Sequence, residues 1–311
     1  MSVRPRRLAS FDLGTNTFLL LIADAGAHDI APVFEKETVV RLGKGVDAGG
    51  NLNDEAMQRG LVCLREYVAY ASQYHCESSF AVGTSALRDA ANREYFLTRV
   101  KAETGVEVRV ISGEDEARLT FLGALSNKKD LPDPIAIIDI GGGSTEVVTG
   151  TQQRIHQARS VDLGSVRLTE RLLKHDPVLP EEVAAVRDQA EKSMRATWPV
   201  EEIRQTASVI GTAGTITTLA AMAQKLAPYD PKRIDRFVLT AQQLHDLVGE
   251  LTSLSIAERQ KLPGLNPARA DVILGGALLL EVFMSVYGFA ELLVSDRGLR
   301  YGVLVEESRS V

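Results

Sequence analysis

Cysteine is scarce: there are two in 311 residues, Cys63 and Cys76. Neither belongs to a CxxC pair and the sequence has no Cys/His cluster. A disulfide framework and a zinc module are therefore not the basis of this fold, and the pair reads as free thiols. Long apolar runs are missing as well. The longest, FLLLIA from Phe18 to Ala23, is far below the roughly 20 residues a bilayer span needs. The basic start MSVRPRRLAS is followed by an apolar segment broken at Asp12, which does not read as a signal peptide. A soluble cytoplasmic protein with no membrane partner is the expectation. Positive charge is not in excess either. With 35 Lys and Arg against 41 Asp and Glu, the formal net charge is -6. General nucleic-acid binders are usually basic, so that class is disfavoured. A polyanionic ligand remains open, but it needs a local basic site against the overall field. No GxxxxGK[ST] loop is present, which excludes a Walker A nucleotide site.

What remains is ordinary globular composition, 45% hydrophobic and 24% charged, and length enough for two domains with their own cores. Strand-like runs alternate with helical patterns, which argues an α/β fold. LASFDLGTNTFLLLIADA reads as strand, tight turn, strand. NDEAMQRGLVCLREYVAYASQYH reads as a helix capped by Asn53, and AANREYFLTRVKAETG as one closed by Gly105. VEVRVIS is strand-like, and GEDEARLTFLGALS is a helix that opens on three acids. NKKDLPDP, Asn127 to Pro134, is polar and proline-bearing and sets the domain boundary, giving domains 1–126 and 127–311, with the last helix allowed to pack back on the first. After it the pattern restarts with IAIIDIGGGSTEVVTG. Later, ASVIG leads through TAGT into a helix, and NPARADVILGGALLLEVFMSVYG reads as one long helix from the Asn266 cap and Pro267 to Gly288.

The restart carries information. SFDLGTNTFLLL and IIDIGGGSTEVV share an apolar run, an Asp, a Gly, a small turn and a hydroxyl in the same order, which argues an internal duplication. Three consecutive glycines pack nothing and are entropically expensive to order. A turn of successive backbone N–H groups without side chains is a nest for an anion, and Ser144 and Thr145 add hydroxyls. A phosphate there would be repelled by Asp139 and Glu146, which flank the loop. Mg²⁺ reconciles them, because it is commonly held by one or two carboxylates plus substrate phosphates. GTSALRDA (Gly83 to Ala90) puts Arg88 just past a strand-end turn, where its planar fork would clamp a phosphate. GTAGTITTLA (Gly211 to Ala220) is a further strand–turn–helix cradle, and LGKGVDAGG with Arg41 and Lys44 supplies local positive charge. In ISGEDEA, Glu114, Asp115 and Glu116 start a helix, where acids complement the dipole or one serves as a base. Spacing alone does not choose. Three His-Asp dipeptides (His28-Asp29, His175-Asp176 and His245-Asp246) have no supporting histidine cluster and read as coincidence.

Taken in order, DLGTNT, RLGKGVDAGGNL, GTSALRDAANREYF, ISGEDEA, DIGGGSTE, DLGSVRLTE, GTAGTITTLA, VILGGALLLE and VSDRGLRYG, running from Asp12 to Gly302, resemble the exopolyphosphatase / guanosine pentaphosphate phosphohydrolase (Ppx/GppA) family. The resemblance implies two ribonuclease-H-like domains of the actin and sugar-kinase superfamily around a central cleft. It implies that Glu116 is the catalytic base, that Asp139 and Glu146 hold Mg²⁺ (or Mn²⁺), and that Arg88 grips phosphate. Asn16 and Thr17 in the first turn, with Gly142, Gly143, Ser144 and Thr145 in the second, would fix the terminal phosphate. The substrate would be inorganic polyphosphate or guanosine pentaphosphate, with a non-catalytic nucleotide sensor as a third reading and a homodimer as the expected assembly. Long members add a C-terminal helical region of HD-phosphohydrolase type. This sequence ends at Val311, before any such region, which implies a short grip on long chains and distributive cleavage.

Overall fold

The computed structural model describes residues 5–26 and 29–309. They form two compact units, Met1–Lys128 with Arg297–Val311, and Lys129–Asp296. The first holds β1 (Arg6–Leu13), β2 (Thr17–Ala25), β3 (Ile30–Val39), β4 (Ser78–Gly83) and β5 (Val108–Val110), in the order β3-β2-β1-β4-β5. β1 to β3 are antiparallel, while β4 and β5 run parallel to β1. The second holds β6 (Ile135–Ile140), β7 (Thr145–Gly150), β8 (Ile155–Val161), β9 (Ser208–Thr212), β10 (Val238–Thr240) and β11 (Glu291–Val294), in the order β10-β11-β9-β6-β7-β8. Read from β8, this is the same sequence of antiparallel and parallel pairings with β10 added at the edge. Each unit is thus a ribonuclease-H-like sheet, the fold of the actin and sugar-kinase superfamily. The repeated motif in the sequence is a repeated topology.

Strand alternation decides what covers each sheet. In the first unit Ala9, Phe11, Leu13, Phe18, Leu20 and Ile22 join Leu61, Tyr67 and Phe96 in one core. The helices behind it are Asp54–Gln73, whose Asn53 cap accepts from Ala56 N at 2.8 Å, and Arg93–Thr104, closed by Gly105 at φ 73°. The opposite face offers Leu8, Leu21 and Ala23 to Tyr301, Leu304 and Val305. That packing is why the final helix, Leu299–Arg309, belongs to the first unit, the packing back that the division at residue 127 allowed for. Ser10 donates to Arg300 O at 2.8 Å, and Arg300 and Tyr301 both bond Glu35, at 2.7 and 2.9 Å. A Cβ on Gly123, in the Gly113–Leu125 helix, would lie 2.8 Å from Gly302 N, so these two helices touch backbone to backbone.

In the second unit Ile138, Ile140 and Val147 face a single large core that includes Met194, Trp198, Leu278 and Phe283. The long helix expected from Pro267 is split. Asn266 caps a short 3-10 turn, Pro267–Arg269, and the α-helix runs Ile273–Tyr287. The break follows Arg269, whose side chain is buried and whose guanidinium lies so close to Gly214 that a Cβ there would meet its carbon at 2.7 Å. Among the described residues no helix is long and apolar enough to cross a membrane.

Candidate active site

The two β-turns are built alike. Strand pairing ends at Leu13↔Phe18 in one and Ile140↔Thr145 in the other, leaving residues 14–17 and 141–144. Each is closed by the same bond, Gly14 N to Thr17 O and Gly141 N to Ser144 O, both 3.1 Å. What the three glycines do is visible in their carbonyls. Gly141 O accepts from Ser165 N, Gly142 O from Val166 N and Arg167 N, and Gly143 O from Arg167 Nε, at 2.8–3.2 Å. These donors open the Ser165–Leu172 helix. In a trans peptide the N–H points opposite to the C=O before it. Tethering three carbonyls behind the turn therefore aims the N–H groups of Gly142, Gly143 and Ser144 forward together. Gly164 lies so close that a Cβ there would sit 2.5 Å from Gly142 C. The first turn uses the 40–43 loop for the same purpose. Val40 N and Arg41 N donate to Asn16 O at 3.0 and 2.7 Å, and Gly43 N to Thr15 O at 2.8 Å. Arg41 takes a left-handed φ of 56° to do so. Asn16 is buried and its Nδ2 has no hydrogen-bond partner among the described residues, while Thr17, also buried, opens β2.

Asp139 and Glu146 are direct cross-strand partners on β6 and β7, so their carboxylates share one face of the sheet. Their relative exposures are 7% and 1%. Two buried carboxylates side by side repel each other, and the chemistry of such a pair suits a hard divalent cation with oxygen preference. Thr145 projects to the other face. It is fully buried, and its hydroxyl donates to Leu163 O at 2.6 Å, holding the loop behind the turn. The sequence counted that hydroxyl among the phosphate donors. Strand alternation instead turns it to the helix-covered side.

In the first unit Arg88 and Glu116 meet, with Nη1 to Oε2 at 2.6 Å. Arg88 is carried by the Ser85–Asp89 helix after β4, and Nη1 also donates to Ile111 O at 3.2 Å. Glu116 lies in the first turn of the Gly113–Leu125 helix, whose cap Ser112 accepts from Asp115 N at 3.1 Å. Asp115 bonds the cap and Arg118 at the surface, which leaves Glu116 as the buried acid of the three. Burial pushes its carboxyl above the ordinary carboxylate range, and the Arg88 charge works against that rise. Arg88 also lines a pocket of about 410 Å³ with Arg93, Val110 and Ser112.

At the end of β9, Ala213 begins a helix, Ala213–Ala223, at φ 70°. An L-residue pays steric strain there. Ala213→Gly should raise stability by about 1 kcal/mol, read as a higher urea midpoint at unchanged slope. An unchanged midpoint would mean that the turn relaxes without strain. The His-Asp dipeptides serve surface contacts. His175 Nδ1 meets Glu182 at 2.9 Å and His245 Nδ1 meets Glu281 at 3.2 Å, while His28 lies outside the described residues. Arg167, Ser160 and Arg269 went unread in the sequence. Arg167 stands inside DLGSVRLTE, the one signal available for any of them.

Residues 21–311 match the Ppx/GppA phosphatase family. Exopolyphosphatase 2 of Mycobacterium tuberculosis is 36% identical over 314 aligned positions, which span 96% of this chain and 97% of that protein. Among solved structures, an exopolyphosphatase from Cytophaga hutchinsonii has a TM-score of 0.90 at 28% identity, covering 98% of this chain and 99% of the other. The PPX-GPPA enzyme of Aquifex aeolicus has a TM-score of 0.81 at 34% identity, with 97% and 99% covered. The chain belongs to the Ppx/GppA phosphatase family.

Proposed function

We propose that this protein is an exopolyphosphatase, releasing orthophosphate from the end of inorganic polyphosphate with Mg²⁺. The observation that carries the reading is the buried Glu116 at a helix start, paired with the half-buried Arg88, in a chain 36% identical to a protein named as an exopolyphosphatase. Glu116 takes the proton of the attacking water as oxygen bonds to the terminal phosphorus and the bridging P–O bond breaks. In the first unit Arg88 would grip phosphate with Asn16 and Thr17 of the first turn, and in the second unit the backbone N–H groups of Gly142, Gly143 and Ser144 would offer the same kind of donor. A guanidinium carries five N–H donors, so bonding Glu116 and Ile111 does not exhaust it. Asp139 and Glu146 would hold Mg²⁺, which when bound neutralises phosphate charge. Positioning and electrostatics of this kind are most of what phosphoryl transfer requires.

Guanosine pentaphosphate presents the same terminal anhydride. The deciding experiment measures phosphate release from polyphosphate and from guanosine pentaphosphate side by side, with Mg²⁺ and with excess EDTA. Faster release from polyphosphate, lost in EDTA, is the expected result. A preference for the nucleotide reassigns the substrate. Binding without release from either makes the chain a sensor, and full activity in EDTA removes the metal.

A further inference from the structure

One row of the second sheet differs from its neighbours. Reading across β9, β6, β7 and β8, the paired residues are Thr212, Asp139, Glu146 and Ser160. All four carry side-chain oxygen, and paired residues share a face. The next row on the same face is Ile210, Ile137, Val148 and Ala158, with no polar side chain. The polar row lies beside the glycine turn, one residue before Ile140 and one after Thr145. Within it Ser160 Oγ donates to Glu146 Oε1 at 2.7 Å. A hydrogen bond to an ionised carboxylate is among the stronger ones.

We infer that Ser160 is a positioning residue for Glu146, its hydroxyl fixing the orientation of the carboxylate that the divalent cation would meet. The inference rests on the reading of Asp139 and Glu146 as the metal pair. A glutamate side chain has three rotatable bonds, and a metal ligand that must find its rotamer at each binding event binds weakly. Outer partners that bond a ligating group set its direction and its basicity. Ser160 comes from β8, the edge strand, so it reaches Glu146 from the side away from Asp139. One carboxylate oxygen is tied to Ser160, which restricts how the group can turn beside Asp139 on β6.

Three variants test this: Ser160→Ala, Ser160→Val and Ser160→Thr. Valine and threonine have nearly the same shape and differ in the hydroxyl, so the pair separates the hydrogen bond from packing. The direct readout is Mn²⁺ binding, followed by the loss of the free-ion electron paramagnetic resonance signal as protein is added. Urea unfolding without metal reports whether each variant is folded. The expected result is Mn²⁺ affinity about 10- to 100-fold weaker in the alanine and valine variants, with threonine close to wild type. The phosphatase assay should then show a raised metal requirement with turnover restored at saturating metal. Equal Mn²⁺ affinity in valine and threonine variants overturns the inference, whether both match wild type or both are weak. A wild-type protein that binds no Mn²⁺ at all overturns the metal reading itself, and this inference with it. That outcome is separate from one in which wild type binds and the variants do not differ.

Discussion

Glu116→Gln should fold like the wild type and turn over about 10²- to 10⁴-fold more slowly, the usual worth of a general base. The amide has the shape of the carboxylate and can still accept from Arg88, so the 2.6 Å contact loses its charge and not its geometry. Substrate affinity should change little, because the proposed phosphate ligands are other residues. The loss should therefore be in kcat, the mark of an interaction made in the transition state. The wild-type environment gives the same residue a pH signature. Burial raises the Glu116 carboxyl, and a base must be ionised, so activity should fall as pH drops through a value above the ordinary carboxylate range. The linkage sign is opposite to that of a stabilising ion pair. With a folded pKa above the unfolded one, the group favours the fold below the unfolded value, and that contribution is lost as pH rises through the folded one. The ionised form needed for chemistry is the form the fold favours less. Wild-type turnover in Glu116→Gln would remove this residue from the mechanism.

The second large effect belongs to Arg88. Arg88→Ala should lower kcat/KM by about 10²- to 10³-fold, the range seen when one preorganised donor to a developing anion is removed. Two losses combine. The proposed phosphate ligand disappears, and the Arg88 charge that opposes the burial of Glu116 disappears with it, so the acid limb of the pH profile should move to higher pH. Arg88→Lys should fall between wild type and alanine. An ammonium keeps the charge but not the fork that bonds the Glu116 carboxylate and Ile111 O and still has donors for a phosphate. An alanine variant with a lower KM-corrected rate but an unmoved acid limb would show that Arg88 holds substrate without tuning the base. Equal activity in all three forms would remove Arg88 from the mechanism and leave it a structural partner of Glu116.

The parts legible in the sequence were those where one residue type determines one geometry. The repeat of Asp, Gly and hydroxyl between apolar runs located both turns, because few other residues suit a turn of that kind. Asn53 and Gly105 located helix ends, because their caps are local. What depended on pairing was not legible. β3 and β8 are sheet edges with charged or polar positions on both faces (Glu35, Lys36 and Glu37 in one, His156, Gln157 and Arg159 in the other), so neither shows a clean alternation. Without β8 there is no register to set Ser160 beside Glu146. The glutamate among three acids could be singled out only by family resemblance, since its burial depends on the packing of the whole helix. The final helix joins the first unit through Leu8, Leu21 and Ala23, residues nearly 300 positions away from it, a distance no local pattern spans.

The tethered carbonyls behind Gly141, Gly142 and Gly143 have a consequence for the cost of moving charge. Water solvates a phosphate by turning its dipoles, and it must turn them again as negative charge shifts between oxygens during bond cleavage. The peptide dipoles of this turn cannot turn, because each is bonded at its far end to the start of a helix. An anion lying against them meets a field that is already in place and stays in place while the charge redistributes. If the turn holds the phosphate as proposed, solvent reorganisation is removed from that part of the barrier. The glycines contribute no side chain to the chemistry. They let the backbone itself serve as a solvent that has been oriented once, during folding.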